Sequence, residues 1–372
     1  MKLPFTMALY IARVFIHNVM VVLAVSTILI LLVDSVELIR SSFNKDVPFF
    51  IMVQMVILKF PLVLQKIAPF IILIGSMLTF NRLNRSQELV AARAAGVSAW
   101  QFLSPAIASA FSLGVIMVTT INPIACAMIA KYSQLEGKYM HGQISALAIS
   151  SSGLWLRQRN NADQATQTVD KGESIIHALR VGQEDDELYD VTIFVFTNQD
   201  KFVQRVDARK AKLANGFWHL SDTVITLPDK PAVRQPEYFL ETELTLDQIH
   251  NSFAAPETIS FWALPGFINT LQEAGFSALR HRQHWHVTLA SPIFYAAMVL
   301  IAAVFSLQLP RHSKTSLLIT SCVITGFIIY FMADIISALG LSGKLPIIVS
   351  AWVPVMLTLL AGVAPILHYE DG

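Results

Sequence analysis

The chain is poor in charge. Of its 372 residues only 14% are charged and 54% are hydrophobic, where a soluble domain carries roughly a quarter charged residues. Long windows hold no charge at all, and about 18–20 such residues cross a hydrocarbon core of roughly 30 Å as a helix. The composition excludes an ordinary soluble enzyme. Net charge is +1, so no general electrostatic pull toward nucleic acid exists. The two cysteines, Cys126 and Cys322, both lie in apolar stretches. They read as small buried residues and exclude a disulfide framework or a thiolate metal site. Catalytic motifs are lacking too. No G-x-x-x-x-G-K-[ST] run is present to cradle ATP phosphates, and Gly343-Lys344 lacks both the leading glycine and the hydroxyl residue. H-E-x-x-H and G-x-S-x-G are also absent. The sequence implies no enzyme, no cofactor and no metal, so any ATP-driven work would fall to another chain.

Six apolar stretches are present, three on each side of one polar insertion. The first span covers about 14–33 and is read as retained, because acidic residues and no small-residue cleavage site follow it. A polar segment, 34–47, comes next. The second stretch, 49–80, is too long for one straight crossing and carries Lys59, Pro61, Lys66 and Pro69. It predicts a surface segment, a proline kink and a true span from about 67 to 80. The third span is 100–130, with Pro105 and Pro123 near its ends. The last three are about 285–307, 317–336 and 345–367.

Between the two membrane halves the pattern changes to β type. Six strands are predicted, at 153–158, 174–181, 188–196, 202–213, 217–227 and 237–246. Asn215-Gly216 marks a hairpin turn and 228–236 a loop. The last strand alternates Tyr238, Leu240, Leu244 and Leu246 with Glu241 and Glu243. Short strands at this spacing suggest a sandwich or an open jellyroll. The fold class expected is therefore an α-helical membrane protein, six transmembrane helices with an inserted all-β jellyroll-like domain. Its parts are a first membrane half at 1–130, a β domain at 131–260, and a connector helix with the second membrane half at 261–372.

Basic residues in short loops set the orientation. Lys2, Arg13, Arg82, Arg85, Arg93, Arg311 and Lys314 fall on one side, against Arg40, Lys45 and Lys344 on the other. The first side, with both termini, is cytoplasmic, and the β domain lies outside. Lys131, Arg280 and Arg282 flank the outer domain and reduce the margin.

Three groups of residues carry possible chemistry. His281, His284 and His286 lie close together at the mouth of the fourth span, among Arg280, Arg282 and Trp285. Two arginines repel a cation, so the run is read as interfacial, with metal or anion binding as the competing reading. The stretch 86–98 is a short helix with both ends specified. Ser86 caps its start, Glu88 sits in the first turn with no evident partner in the chain, and Gly96 ends it. Ser98 caps the span that follows. This helix is either a solvated connector or a docking helix for a cytoplasmic partner, offering Glu88, Leu89, Ala92 and Arg93. Finally, Arg40, Lys45, Lys59 and Lys66 stand around the outer half of the bundle. Lys59 and Lys66 are seven apart and share a helix face. Each either snorkels to the surface or meets an anion. Asp334 in the fifth span pairs with a base or lines an opening.

The stretch 85–98 closely resembles the "SELVALRAAGVS" loop of the lipopolysaccharide-export permeases, the LptF/LptG (YjgP/YjgQ) family. Gly153-Leu154-Trp155 resembles the "GLW" that opens the family's external β-jellyroll, and residues 190–196 resemble its "ISIYxF" strand. Pro292 with 307–311 resembles "P…A…FSL…R". Gly326-Phe327, Leu339-Gly340 and Trp352-Val353-Pro354 resemble "GF…Y…LG…G.LP…W.P". The likeness runs the length of the chain in order, and "GLW" and "AW.P" look more like the LptG branch. The resemblance implies the permease subunit of an ABC transporter. It would extract lipopolysaccharide from the inner membrane and pass it toward the outer membrane. Implied partners are a paralogous LptF-like permease, a cytoplasmic LptB-like ATPase dimer, a single-span LptC-like protein and an LptA-like periplasmic bridge. Glu88, Leu89, Ala92, Arg93 and Gly96 would lie on the ATPase-coupling helix, with Glu88 as the contact. Val33-Asp34 matches the family's "VD", after which bases hold lipid phosphates. Here Glu37 stands where a base is usual, so phosphate contact shifts onto Arg40, Lys45, Lys59 and Lys66. Two other classes compete: an ABC-coupled mechanotransmitter that carries no substrate, and an intramembrane hydrolase using the histidines.

Overall fold

The computed structural model describes residues 5–42, 47–137, 139, 147–150, 153–160, 172–181, 187–197, 201–214, 216–228, 230–242, 255–273, 277–307 and 315–371. They fall into two compact units. The membrane unit comprises Met1–His141, Glu257–Trp262 and Arg282–Gly372, and the β unit comprises Gly142–Pro256 and Ala263–His281.

Six helices of the membrane unit are long and apolar enough to span a bilayer. α1 (Phe5–Ser42) and α2 (Phe49–Arg85) are followed by a short α3 (Glu88–Ala94). The third span is α4 (Ala99–Ile116), a π-helical turn (Met117–Ile121) and α5 (Asn122–Glu136). With the β-unit helix Leu264–Glu273 taken as α6, the last three are α7 (Leu279–Leu307), α8 (Thr315–Leu341) and α9 (Ile347–Asp371). The expected six-span layout is thus present, with two corrections in its first two helices. Residues 34–42, read as a polar segment, continue α1. The separate surface segment foreseen in the second stretch gives way to one helix of 37 residues with Pro61 and Pro69 inside it. A proline deletes one helical hydrogen bond and bends the helix, but inside a membrane bundle neighbouring groups cover the loss. At 1.5 Å per residue α1 and α2 each reach about 55 Å, well beyond a ~30 Å hydrocarbon core.

α1 and α2 run antiparallel, joined by side chains at two levels. Lys59 Nζ lies 3.2 Å from Asp34 Oδ1 at one end, and Asn18 Nδ2 donates to Thr79 Oγ1 at 3.0 Å nearer the other. Around this pair the buried cluster takes Phe15 and Val19 of α1, Leu73 and Met77 of α2, Leu103 and Ala106 of α4, and Met298 to Ala303 of α7. Lipid offers no hydrophobic drive between helices, so small residues that permit close approach decide the packing. Gly114 shows this sharply, since a Cβ there would come within 2.5 Å of Pro292 Cα on α7.

The β unit holds one seven-stranded antiparallel sheet in sequential order among the described residues. Its strands are β1 (Leu147–Ser150), β2 (Gly153–Asn160), β3 (Gly172–Val181), β4 (Glu187–Thr197), β5 (Phe202–Ala214), β6 (Phe217–Thr226) and β7 (Val233–Glu241). The jellyroll-like insertion expected from the sequence is this sheet. Ile176, Ile193, Val206, Trp218 and Leu220 are buried on its inner face. The sheet curls. Gln158 of β2 accepts from Trp218 Nε1 of β6 at 3.3 Å and from Thr242 Oγ1 just after β7 at 2.8 Å, although β2 and β6 are not neighbours.

β5 ends and β6 begins with Ala214 opposite Phe217, and Gly216 takes φ +81° in the turn between them. Asn215 lies outside the described residues. Asp190 and Asp222 adopt φ of 54° and 59°, a left-handed conformation that Asp tolerates better than most. Each skips one ladder pair and shifts the inward alternation.

β1, four residues long, is too short to have been read from the sequence. β7 starts at Val233, not at 237, so the end of the predicted loop 228–236 is strand. Pro236 sits opposite Asp222, where the ladder is already interrupted, on the last strand of the sheet. An edge position of that kind tolerates a residue without an N–H. Leu244 and Leu246 lie outside the described residues.

Candidate coupling and lipid-contact sites

The link from α2 through α3 to α4 is built as a pair of tight turns. Gly96 at φ +82°, with Val97 N–H donating to Ala92 O at 3.1 Å and Gly96 N–H to Arg93 O at 2.9 Å, closes α3 in a Schellman turn. Ser98 caps α4, its Oγ accepting from Gln101 N–H at 3.3 Å. The start of α3 differs from the expectation. Ser86 does not cap it; Gln87 does the turning, at φ 59°. The Ser86 N–H instead closes the end of α2 on Arg82 O at 3.0 Å, and its hydroxyl lies 2.8 Å from Glu88 Oε1.

Glu88 also has a partner in the chain that the sequence did not reveal. Tyr10 of α1 donates to its Oε1 at 3.2 Å. A second correction concerns the helix face. Leu89 and Ala92 are buried in the core cluster and moor the helix. The side that faces out carries Val90, Arg93 and Ala94, with Glu88 half-buried at the start.

At the other end of the α1–α2 pair the four cations separate. Lys59 is taken up within the chain, by Asp34 at 3.2 Å and Glu37 at 3.5 Å. The Asp34 side chain is only 11% exposed, and its second oxygen is buried without a partner among the described residues. Asp34 and Glu37 are three residues apart on a helix and so share a face, which is the signal that could have paired them with a base. Arg40 and Lys66 are exposed and enter no ion pair among the described residues. Lys45 lies outside the described residues. Asp334 is exposed on α8.

The histidines do not come together as ligands. No group of three or more His, Cys, Asp or Glu among the described residues is arranged to hold a metal. In the β unit, His281 packs on the Phe267 ring at 5.2 Å. In the membrane unit, Trp285 stacks on Phe261 at 6.0 Å and meets the His286 ring edge-on.

One further buried polar residue escaped the sequence reading. Asn122, just after the π-helical turn and 4% exposed, joins α2 to the stretch Glu257–Trp262. An Asn-Pro pair deep in an apolar stretch was the signal available.

Comparison with known proteins agrees with this layout. The family model described as lipopolysaccharide export system permease LptF/LptG matches residues 9–368. The lipopolysaccharide export system permease protein LptG of Escherichia coli (strain K12) is 24% identical over 305 residues, 80% of each chain. The protein of the same name from Haemophilus influenzae is 21% identical over 314 residues, 81% of each chain. With six membrane helices, a sheet inserted between them and a match over almost its entire length, this chain belongs to the lipopolysaccharide export system permease LptF/LptG family.

Proposed function

We propose that this chain is the membrane subunit of an ABC exporter in the bacterial inner membrane. It takes lipopolysaccharide from the bilayer and delivers it to a periplasmic bridge. A paralogous permease completes the cavity, and a single-span periplasmic protein joins the route. ATP is hydrolysed by a separate cytoplasmic dimer docked on α3. Both termini are cytoplasmic and the β unit is periplasmic.

The observation that carries the reading is the family match along residues 9–368. Geometry supports it at both ends of the α1–α2 pair. α3 presents Val90, Arg93 and a half-buried Glu88 between spans two and three, where a docking partner can press on it. Its buried Leu89 and Ala92 pass that pressure to the bundle. Counting about 20 residues back from Arg82 places the outer edge of the hydrocarbon near residue 62 of α2. Lys59 then stands at headgroup level and Lys66 about one turn inside. A lysine at that depth is costly unless it faces water or an anion. Among the described residues Arg40 and Lys66 are the candidate cations left for lipid phosphates, since Asp34 and Glu37 occupy Lys59.

The test is to purify the tagged chain from bacterial membranes and identify what accompanies it. A second permease, an ATPase and lipopolysaccharide are expected. An ATPase and a periplasmic protein without any lipid would favour a mechanotransmitter and overturn the transport reading.

A further inference from the structure

Residues Glu257–Trp262 belong to the membrane unit, although the chain on both sides of them belongs to the β unit. The chain leaves the β unit after Pro256, touches the membrane helices for six residues, and re-enters the β unit at Ala263. Hydrogen bonds among the described residues hold this excursion on the third span. Phe261 N–H donates to Asn122 Oδ1 at 2.8 Å. The Trp262 indole N–H donates to Thr119 O at 3.3 Å. The Cys126 thiol donates to Ile259 O at 3.3 Å. The Phe261 ring meanwhile stacks on Trp285 of α7, at 6.0 Å and 8°.

The third span is shaped for this contact. Pro123 has no N–H, so it cannot donate to the carbonyl of Thr119 four residues earlier, the bond an α-helix would make there. The Trp262 indole supplies a donor to that carbonyl. The turn just before Pro123, Met117–Ile121, is π-helical. Such turns interrupt the regular ladder and mark places where a helix is bent or acts. Asn122 is the centre of the arrangement. Its Oδ1 accepts from Phe261, while its Nδ2 donates to Gln65 Oε1 of α2 at 3.4 Å. A buried amide in a membrane helix is costly unless its groups are paired, and here both are. One side chain therefore ties α2, the third span and the excursion together.

We propose that residues 259–262 form a clasp on the third span, with Asn122 as its positioning residue. Through it, movement of the third span at its π-helical turn is passed to the β unit during lipid transport. Residues 257–262 are continuous in the chain with β-unit residues on both sides, so what moves the clasp pulls on that chain directly. The coupling half of this proposal rests on the transport reading above.

Cys126 supplies a native reporter, being 3% exposed and bonded to the clasp. The experiment uses the full chain in its native membrane complex, carrying Cys322→Ser so that Cys126 is its single thiol. Maleimide labelling of Cys126, ATP hydrolysis and lipopolysaccharide export are measured side by side. Asn122→Ala should speed labelling and lower export about tenfold each, the size of one lost buried hydrogen bond. ATP hydrolysis should stay near the parent rate. A merely structural role would lower hydrolysis and export together. Trp262→Phe keeps a ring, loses only the indole donor, and should shift both readouts in the same sense by about threefold. It carries the test if Asn122→Ala fails to fold. Unchanged labelling in the variant would overturn the clasp. Faster labelling with unchanged export would overturn the coupling. If the parent complex moves no lipopolysaccharide, the transport reading and the coupling fail together, and labelling alone then decides whether the clasp exists.

Discussion

The two units use polar side chains in different ways. In the β unit the ion pairs lie on the surface: Arg205 with Asp207, Lys210 with Glu187, Arg234 with Asp222. Water screens them, and the sheet is held by apolar burial and by one interior amide, Gln158. In the membrane unit the polar contacts lie between helices: Asp34 with Lys59, Asn18 with Thr79, Gln65 with Asn122. The hydrocarbon offers no substitute partner to Asn18, Thr79, Gln65 and Asn122, so these pairings fix which helices meet and at what level. The ion pairs of the β unit lie on its surface, while Gln158 alone among the polar groups named there works from inside. Those of the membrane unit join helices to one another.

The strongest way to break the contrast is to spoil helix approach directly. Gly114→Val places side-chain atoms where the Pro292 backbone already lies. Overpacking of this kind costs about 1–3 kcal/mol or more, so yield and melting temperature in detergent should both fall sharply. The same change at Gly266 of α6, where a Cβ would meet nothing within 4 Å, should leave the melting temperature of the membrane unit unchanged.

Next in size is Lys59→Met. It leaves Asp34 buried and unpaired and should cost about 1–3 kcal/mol. Removing Asp34 and Glu37 as well, by changes to Asn and Gln, should recover most of that loss. A thermodynamic cycle on detergent unfolding checks this. Independent, additive losses would mean the three residues do not act as one group.

A smaller stability effect with a large functional one is expected at the other end of α1. Glu88→Lys should leave folding nearly intact but strip the ATPase from the purified complex. Tyr10→Phe removes one exposed hydrogen bond and should weaken ATPase retention only slightly. Equal effects of the two would mean that Glu88 acts through Tyr10 and not through a partner.

The smallest effect belongs to the β unit. The hydrogen bond from Lys210 holds the Glu187 carboxyl below its ordinary range, and Lys212 adds to this. The stability this pair contributes is therefore present above the unfolded carboxylate pKa. It is lost as pH falls through the lower, folded value. Glu187→Gln should flatten the acid limb of the β unit's melting temperature and change little near neutral pH.

Much of this was legible in the sequence, and the failures have physical causes. Six spans and most strand positions follow from hydropathy and alternation, because solvent or lipid dictates those patterns residue by residue. The second stretch misled because Lys59, Pro61, Lys66 and Pro69 interrupt its apolar run and suggested a separate surface segment, yet one helix carries all four. The start of β7 was hidden by Pro236, which an edge strand accepts beside the irregularity at Asp222. Ser86 looked like a cap by spacing, but Gln87 in a left-handed conformation separated it from α3. The pairings of Lys59 with Asp34 and of Tyr10 with Glu88 span 25 and 78 residues. No local pattern reports contacts that long. Glu88, Arg93 and Gly96 were visible through the family's loop, whereas Asn122 was not, because its role depends on a segment 139 residues further along the chain.

On the proposed transport reading, the phosphates of lipopolysaccharide meet Arg40 and Lys66. Site-specific photo-crosslinkers placed at Arg40, Lys66 and, at the other end of the α1–α2 pair, Arg93 test it in living cells. Lipopolysaccharide adducts are expected at positions 40 and 66 and none at 93. Adducts at 93 as abundant as the others, or none at 40 and 66, would contradict it.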